Sequence, residues 1–358
     1  MKVSCNINKH NMNTNLYYLL RNLPENMLYY KEYPLRHPLA IYNISTNRVQ
    51  DAISRFIISL HDLDSDTMDK DEKEVETLRN VLARLSKDSQ ETNDIKNRMK
   101  YLAEEMNKVN ENAIDNYVDF LDSLIAFIDD TYHIIKTLFP SKSVEKSIIF
   151  ADKWIKKADY SLYTSYKTQV NKYRDNLAPI VNKIKHNHAR MRLISFKTNL
   201  GNSFGYFIES IDYNSVIIPD PEIHKTFRGM HTGISFNRDL KFNVAGFFYI
   251  CEILQQTLYD FIKNKYGISI PLRNESGADN NDIKAEKLAD QLVAISDLYF
   301  PDEYQKFESK IILENNFLSI SYPNQPTMRS FLQGRVQVHF GGDGVTKSFQ
   351  MPYFMPRP

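Results

Sequence analysis

Residues 182–192 read NKIKHNHARMR and run directly into LISF at 193–196. This junction decides the fold. Upstream of it apolar residues recur every three to four positions, and downstream they recur every second position. The upstream seam is Tyr163, Tyr166, Val170, Tyr173, Leu177, Ile180 and Ile184, a 3–4 spacing sustained over three heptads that predicts a long helix. Pro179 lies inside that helix and is expected to kink or break it. After Arg192 the segments LISF, YFIESI and SVIIP are short and β-prone, with turn signals at Gly201, Gly205 and Asp212-Tyr213-Asn214.

Moving towards the N-terminus, Ile53, Phe56, Ile57 and Leu60 mark another helical stripe that ends at Asp62 to Asp66. No glycine or proline occurs from Asp66 to Phe139. Val75, Leu78, Leu82 and Leu85, then Ile95, Met99, Leu102, Met106 and Val109, place two long antiparallel helices there, with Asp88 and Glu91 as a capping box at the second start. Their seam over 70–112 is thin, so the pair projects from the body or packs on a partner. A shorter helix, 144–157, carries Trp154. The first forty residues are rich in Tyr and Leu and read as a packed, partly helical arm.

Moving towards the C-terminus, a helix is expected over 240–265, ending in KNKYG, and another over about 283–298. NESGADNND (274–282) reads as a surface loop. KIILEN and FLSISYP read as strands, and VQVHF and VTKSFQM flank GGDG as a hairpin. The fold class is therefore α+β: an arm (1–40), a mainly helical bundle with a long helical hairpin (41–192), and an α+β domain of short antiparallel strands ending in a β-hairpin (193–358).

Bulk composition narrows the function. Lys plus Arg is 45 against 44 Asp plus Glu, a net charge of +1, so any affinity for nucleic acid must come from a local patch. Two cysteines far apart suggest neither a disulfide framework nor a thiolate metal site and fit a reducing compartment. No apolar run approaches the roughly 18–20 residues needed to span a bilayer, and MKVSCNINKHNMNTN lacks an apolar leader core. The expectation is a cytoplasmic protein without a membrane partner. No P-loop, GxGxxG, GxSxG, HExxH or CxxC occurs, and no cofactor or metal is expected.

The densest candidate site is the opening stretch. Read as helix, Asn182, His186 and Arg190 fall at i, i+4 and i+8 on one stripe, with Lys185, His188 and Arg192 beside it and Ile180, Ile184 and Met191 inward. Lys183, Lys185, Arg190, Arg192 and Lys197 meet no carboxylate between Asp175 and Glu209. This local positive patch would attract phosphate. Imidazole can take a proton from a ribose hydroxyl near neutral pH, and guanidinium and ammonium groups can stabilise the phosphorane-like charge without a metal. The candidate catalytic residues are His186, Arg190 and Asn182. The candidate nucleic-acid contacts are Lys183, Lys185, His188, Arg192 and Lys197. The plainer alternative is a solvated helix end whose cations favour the C-terminal dipole.

A bundle closing on Asn-x-x-Lys-His and leaving through basic residues resembles the HEPN superfamily of prokaryotic defence and toxin proteins, over roughly 45–192. The resemblance implies a four- or five-helix bundle, often dimeric, that in many members cuts RNA without metal and in others serves binding or assembly. The active family pattern sets an arginine ahead of the histidine. Here those positions hold Pro179, Ile180 or Val181 for His186, and Val181, Asn182 or Lys183 for His188. What carries over is the location, Asn182 to His186. Two functions are thus expected as alternatives. One is an RNA- or nucleotide-directed protein of bacterial defence or toxin type, with metal-independent RNA cleavage as the chemistry open to it. The other is a non-enzymatic assembly or adaptor subunit, homo-oligomeric or partnered through helices 66–139.

Two lesser sets stand beside it. IIPDPEIHK puts Asp220, Glu222 and His224 at i, i+2 and i+4, a metal or acid–base set if extended and otherwise a rigid polar turn. RGMHTGISFNRD carries Arg228, His231 and Arg238 around a glycine, as a loop in the same cleft or as an ordinary turn.

Overall fold

The computed structural model describes residues 4–8, 12, 14–84, 90–144, 147–187, 189–270, 282–323, 335–338 and 351–353. The chain is α+β, with long helices first and short antiparallel sheets towards the C-terminus.

Helix α1 (Asn15–Arg21) starts where the Thr14 side chain accepts from the Tyr17 amide and buries Leu16, Leu19 and Leu20. Helix α2 (Pro38–Leu63) has proline in its first turn, where no amide is needed, and the His37 ring accepts from Leu39. Its buried stripe Val49, Ala52, Ile53, Phe56 and Ile57 packs along α4 (Gln90–Lys136). Helix α3 (Asp66–Leu82) is capped by Ser65 and packs extensively only on α4. The 47 residues of α4 make a rod of about 70 Å. Its C-terminal half buries Tyr117, Phe120, Leu121, Leu124, Phe127 and Ile128, whereas its N-terminal half buries only Thr92 and Leu102. The rod is half core and half arm.

Helix α5 (Ala151–Ala158) turns Trp154 and Ile155 inward and leads into α6 (Tyr160–Asn187). The helix at 144–157 therefore starts later than its sequence spacing suggests. Helix α6 continues through Pro179 without a break, because Leu177, Ile180 and Val181 keep it buried on both sides of the missing amide.

Strands β2 (Met191–Thr198) and β3 (Gly201–Ile211) form a tight antiparallel hairpin from Met191↔Ile208 to Thr198↔Gly201. β4 (Ile217–Pro219) and β5 (Ile234–Ser235) pair with β3, and β8 (Arg335–Val338) pairs with β2. Both faces of the hairpin are covered. One side meets the main core, and the other packs Ile194, Phe196 and Phe207 on Phe300. Helix α7 (Phe236–Tyr266) runs through the middle of the molecule and is closed by Gly267 at φ +70°, where a side chain would be strained. Helix α8 (Ile283–Val293) is shorter than expected.

A second sheet takes the order β1-β7-β6, with β6 (Lys310–Glu314) and β7 (Phe317–Ser321) as a hairpin. Its third strand is β1 (Ser4–Asn8), paired from Ser4↔Ser321 to Asn8↔Phe317. The arm expected over 1–40 thus begins as a strand, because β7 presents a free edge for it to fill. One buried apolar cluster runs from Ile7 through Phe56, Phe127, Tyr173, Tyr206 and Phe248 to Ile320. The change at Arg192 is one of element type within a shared core. Most of the loop at 274–282 and of the hairpin around GGDG lies outside the described residues. Among the described residues no helix is long and apolar enough to cross a membrane.

Candidate functional site

The stretch 182–192 is not a single helical surface. Helix α6 ends at Asn187, and the amide of Ala189 turns back onto the Lys183 carbonyl at 3.2 Å. Asn182 and His186 share an exposed face, but Arg190 lies beyond the helix end and does not extend their stripe. Met191 is inward as expected, but from a strand, where its neighbour Arg192 is also buried. The physical reason is the pull of β3: pairing β2 along eight residues satisfies backbone groups that another helical turn would have left at an uncapped end. His188 lies outside the described residues.

The cations do not form an open patch. Lys183 Nζ sits 2.9 Å from Asp220 and 2.8 Å from Glu222, so the helix end and the IIPDPEIHK turn meet in space. These two carboxylates hold the Lys183 ammonium above its usual pKa. Lys185 meets Asp122 of α4 at 2.9 Å, a partly exposed pair of small energetic weight. Arg192 is buried and places Nε and one terminal nitrogen 2.8 Å from Glu209, which also accepts from the Arg190 amide. Lys197 pairs with Glu72 of α3. Sequence distance concealed this neutralisation, since Glu72, Asp122, Asp220 and Glu222 lie in other segments and Glu209 lies across the β2–β3 hairpin. An anion binding here displaces carboxylates rather than filling an empty cradle. Asn182, Lys185 and His186 are exposed on α6, and Arg190 is exposed past the helix end.

Asp220, Glu222 and His224 do not converge on one point. One Asp220 oxygen caps the Glu222 amide at 2.9 Å while the other holds Lys183, and the Glu222 side chain is exposed. His224 turns into the protein, where Nε2 accepts from the Ile208 amide at 2.8 Å. Burial drives its pKa down to about 3, so the ring is neutral and its proton sits on Nδ1. The trio is a turn that clamps α6 to β3. The other loop also serves the fold: the His231 carbonyl accepts from the Tyr353 amide at 2.8 Å, and Arg238 donates to the Phe307 carbonyl at 2.6 Å.

Sequence reasoning missed a set of buried polar groups around α7. Asp239 on α7 accepts from the Tyr117 hydroxyl and, at 2.7 Å, from Tyr206. Asn243, one turn on, accepts from Tyr173 at 2.9 Å and donates to Tyr117. Burial raises the Asp239 pKa, and the two hydroxyls oppose that rise. A signal was present: Phe236, Asp239, Leu240, Asn243 and Phe247 share one helical face, on which two polar residues interrupt an apolar stripe. Nearby, Glu303 is buried and accepts from the amides of Ser235 (3.1 Å) and Phe300 (3.0 Å). Burial lifts its pKa to about 6. A groove of about 850 Å³ lies between α6 and α7, lined by Ser161, Ser165, Gln169, Glu252, Gln256 and Asp260 at the opposite end of α6 from His186.

Set against known proteins, the chain matches no protein-family model, no curated protein and no solved structure.

Proposed function

We propose that the protein is an assembly subunit that associates through the α3–α4 hairpin, in the first instance with a second copy of itself. The observation carrying this reading is the uncovered seam of that hairpin. Val75, Leu78 and Leu82 of α3 and Ile95 and Met99 of α4 are only half-buried, and among the described residues α3 packs extensively on α4 alone. Val81 and Tyr101 stand further out, at 38% and 53% exposure. Two antiparallel helices bury one side of an apolar stripe, and pairing two such hairpins as a four-helix bundle buries the other. The neutralised cations at the end of α6 agree with a structural surface there.

Light scattering across the micromolar range tests this. Wild type is expected at twice the chain mass. Val81→Lys with Tyr101→Lys, both outside the hairpin's own contact, is expected to weaken self-association tenfold or more with helical content unchanged. A single-chain mass at every concentration overturns the reading.

A second reading, an RNA-directed surface with metal-independent cleavage, is favoured by one observation: Asn182 and His186 are both exposed on α6, and Arg190 is exposed shortly after the helix ends. A salt-titrated single-stranded RNA assay on wild type and His186→Ala decides it. Equal binding and no cleavage in either protein removes that reading.

A further inference from the structure

Whereas Lys183, Lys185, Arg192 and Lys197 each hold a carboxylate, the lysines of α5 do not. Lys153, Lys156 and Lys157 are exposed, and among the described residues none lies in a salt bridge. They fall at i, i+3 and i+4, opposite the inward pair Trp154 and Ile155. The acid on this helix, Asp152, is half-buried and acts on Asp129 and Tyr132 of α4; it stands one turn before Lys156, with which no ion pair forms among the described residues. Trp154 packs edge-on against Tyr33 at 5.7 Å and Phe139 at 6.0 Å, so the helix is firmly seated.

Apolar side chains stand at both ends of this cationic face. Ile149 and Phe150, just before the helix, are 82% and 63% exposed, and Tyr160, just after it, is 65% exposed. Phe150 is the N-cap and lies one turn below Lys153, whose Nζ sits 4.7 Å from the ring centroid. A firmly seated amphipathic step with an exposed aliphatic–aromatic tip and exposed lysines behind it has the chemistry of an interfacial anchor. Apolar side chains enter the acyl boundary, lysines stay at headgroup level, and tyrosine favours the border between them.

We infer that the surface formed by Ile149, Phe150, Lys153, Lys156, Lys157 and Tyr160 docks the protein onto a bilayer rich in anionic lipid. Nucleic acid would use the lysines but leave Ile149 in water, and Lys153 already covers the Phe150 ring on which a base would stack. Peripheral attachment of this kind needs no spanning helix, and it is independent of the hairpin pairing proposed above.

Co-sedimentation of the full chain with phosphatidylcholine vesicles, with and without phosphatidylserine, tests the inference. Wild type is expected to sediment only with the phosphatidylserine vesicles, and less as salt rises. Each basic residue near such a surface is worth roughly a fivefold gain, so Lys153→Ala/Lys156→Ala/Lys157→Ala is expected to lose about a hundredfold. Ile149→Ser/Phe150→Ser is expected to lose tenfold or more while keeping its salt dependence. Circular dichroism checks that both variants remain folded. Val81→Lys/Tyr101→Lys is expected to leave vesicle binding unchanged, which separates this result from the oligomer test. Absence of binding to anionic vesicles, or binding that neither α5 variant weakens, overturns the inference. So does binding of single-stranded RNA that both variants abolish while vesicle binding persists.

Discussion

Glu303 and His224 are both buried and both perturbed by desolvation, yet they make stability depend on pH in opposite directions. Glu303 keeps its proton up to about pH 6 in the fold, against a starting value of 4.5. Its contribution is therefore complete below pH 4.5 and is withdrawn as the pH climbs through 6, a change of about 2 kcal/mol. His224 stays neutral down to about pH 3 in the fold, against 6.5 when free. Its contribution is complete above pH 6.5 and shrinks as the pH falls towards 3, by up to about 1.4 kcal/mol per pH unit. Urea unfolding is expected to give a wild-type stability that rises from pH 4 to 4.5, where His224 acts alone, and levels off to about pH 6, where the two slopes cancel. Glu303→Gln should remove that plateau, so that stability keeps rising to about pH 6.5. An unchanged profile in that variant would mean that Glu303 titrates in the fold as it does in water.

At the level of elements, the contact between α6 and α7 depends on one missing side chain. A Cβ on Gly246 would lie 2.2 Å from the Tyr173 ring, which is fully buried and hydrogen-bonded to Asn243. Gly246→Ala gains up to about 1 kcal/mol of helix propensity but overpacks the crossing, which costs about 1–3 kcal/mol. A net loss of stability is expected in denaturant titrations, with Tyr173→Ala in the same chain making the alanine less harmful. Legibility also divides by element. The stripes of α2, α4, α6 and α7 were visible because a helix buried on one face repeats its apolar residues with a fixed period. β6 and β7 were visible for the corresponding reason at period two. The start of α5 and the ends of α6 and α8 were not, since helix termini are set by caps and by what the next segment pairs with. β1 was hidden because SCNIN, although it alternates polar and apolar, is only five residues long and its partner lies at the far end of the chain.

Across the whole molecule, charge was the least legible property. A count along the sequence finds cations at 183–197 without nearby acids, but the fold brings Glu72, Asp122, Glu209, Asp220 and Glu222 to them. Three exposed lysines that meet no carboxylate among the described residues lie on α5, in a segment that had looked like an ordinary short helix. Polar groups were sorted in the same way. Asp239 and Asn243 join Tyr117 of α4, Tyr173 of α6 and Tyr206 of β3 at the centre, so helices and sheet are registered to each other by hydrogen bonds whose geometry tolerates little sliding.

The pairing of β1 with β7 gives this architecture a temporal side. Asn8 meets Phe317, so the first strand leaves the ribosome about 300 residues ahead of its partner, an interval of roughly 15–60 s at ordinary rates of synthesis. Throughout that interval Ile7 has no sheet to enter. The small sheet can close only once β7 has been made, after the whole of α2, α4 and α7 has been synthesised, and a chain stalled before residue 317 would display an unpaired strand to every chaperone and neighbour it met.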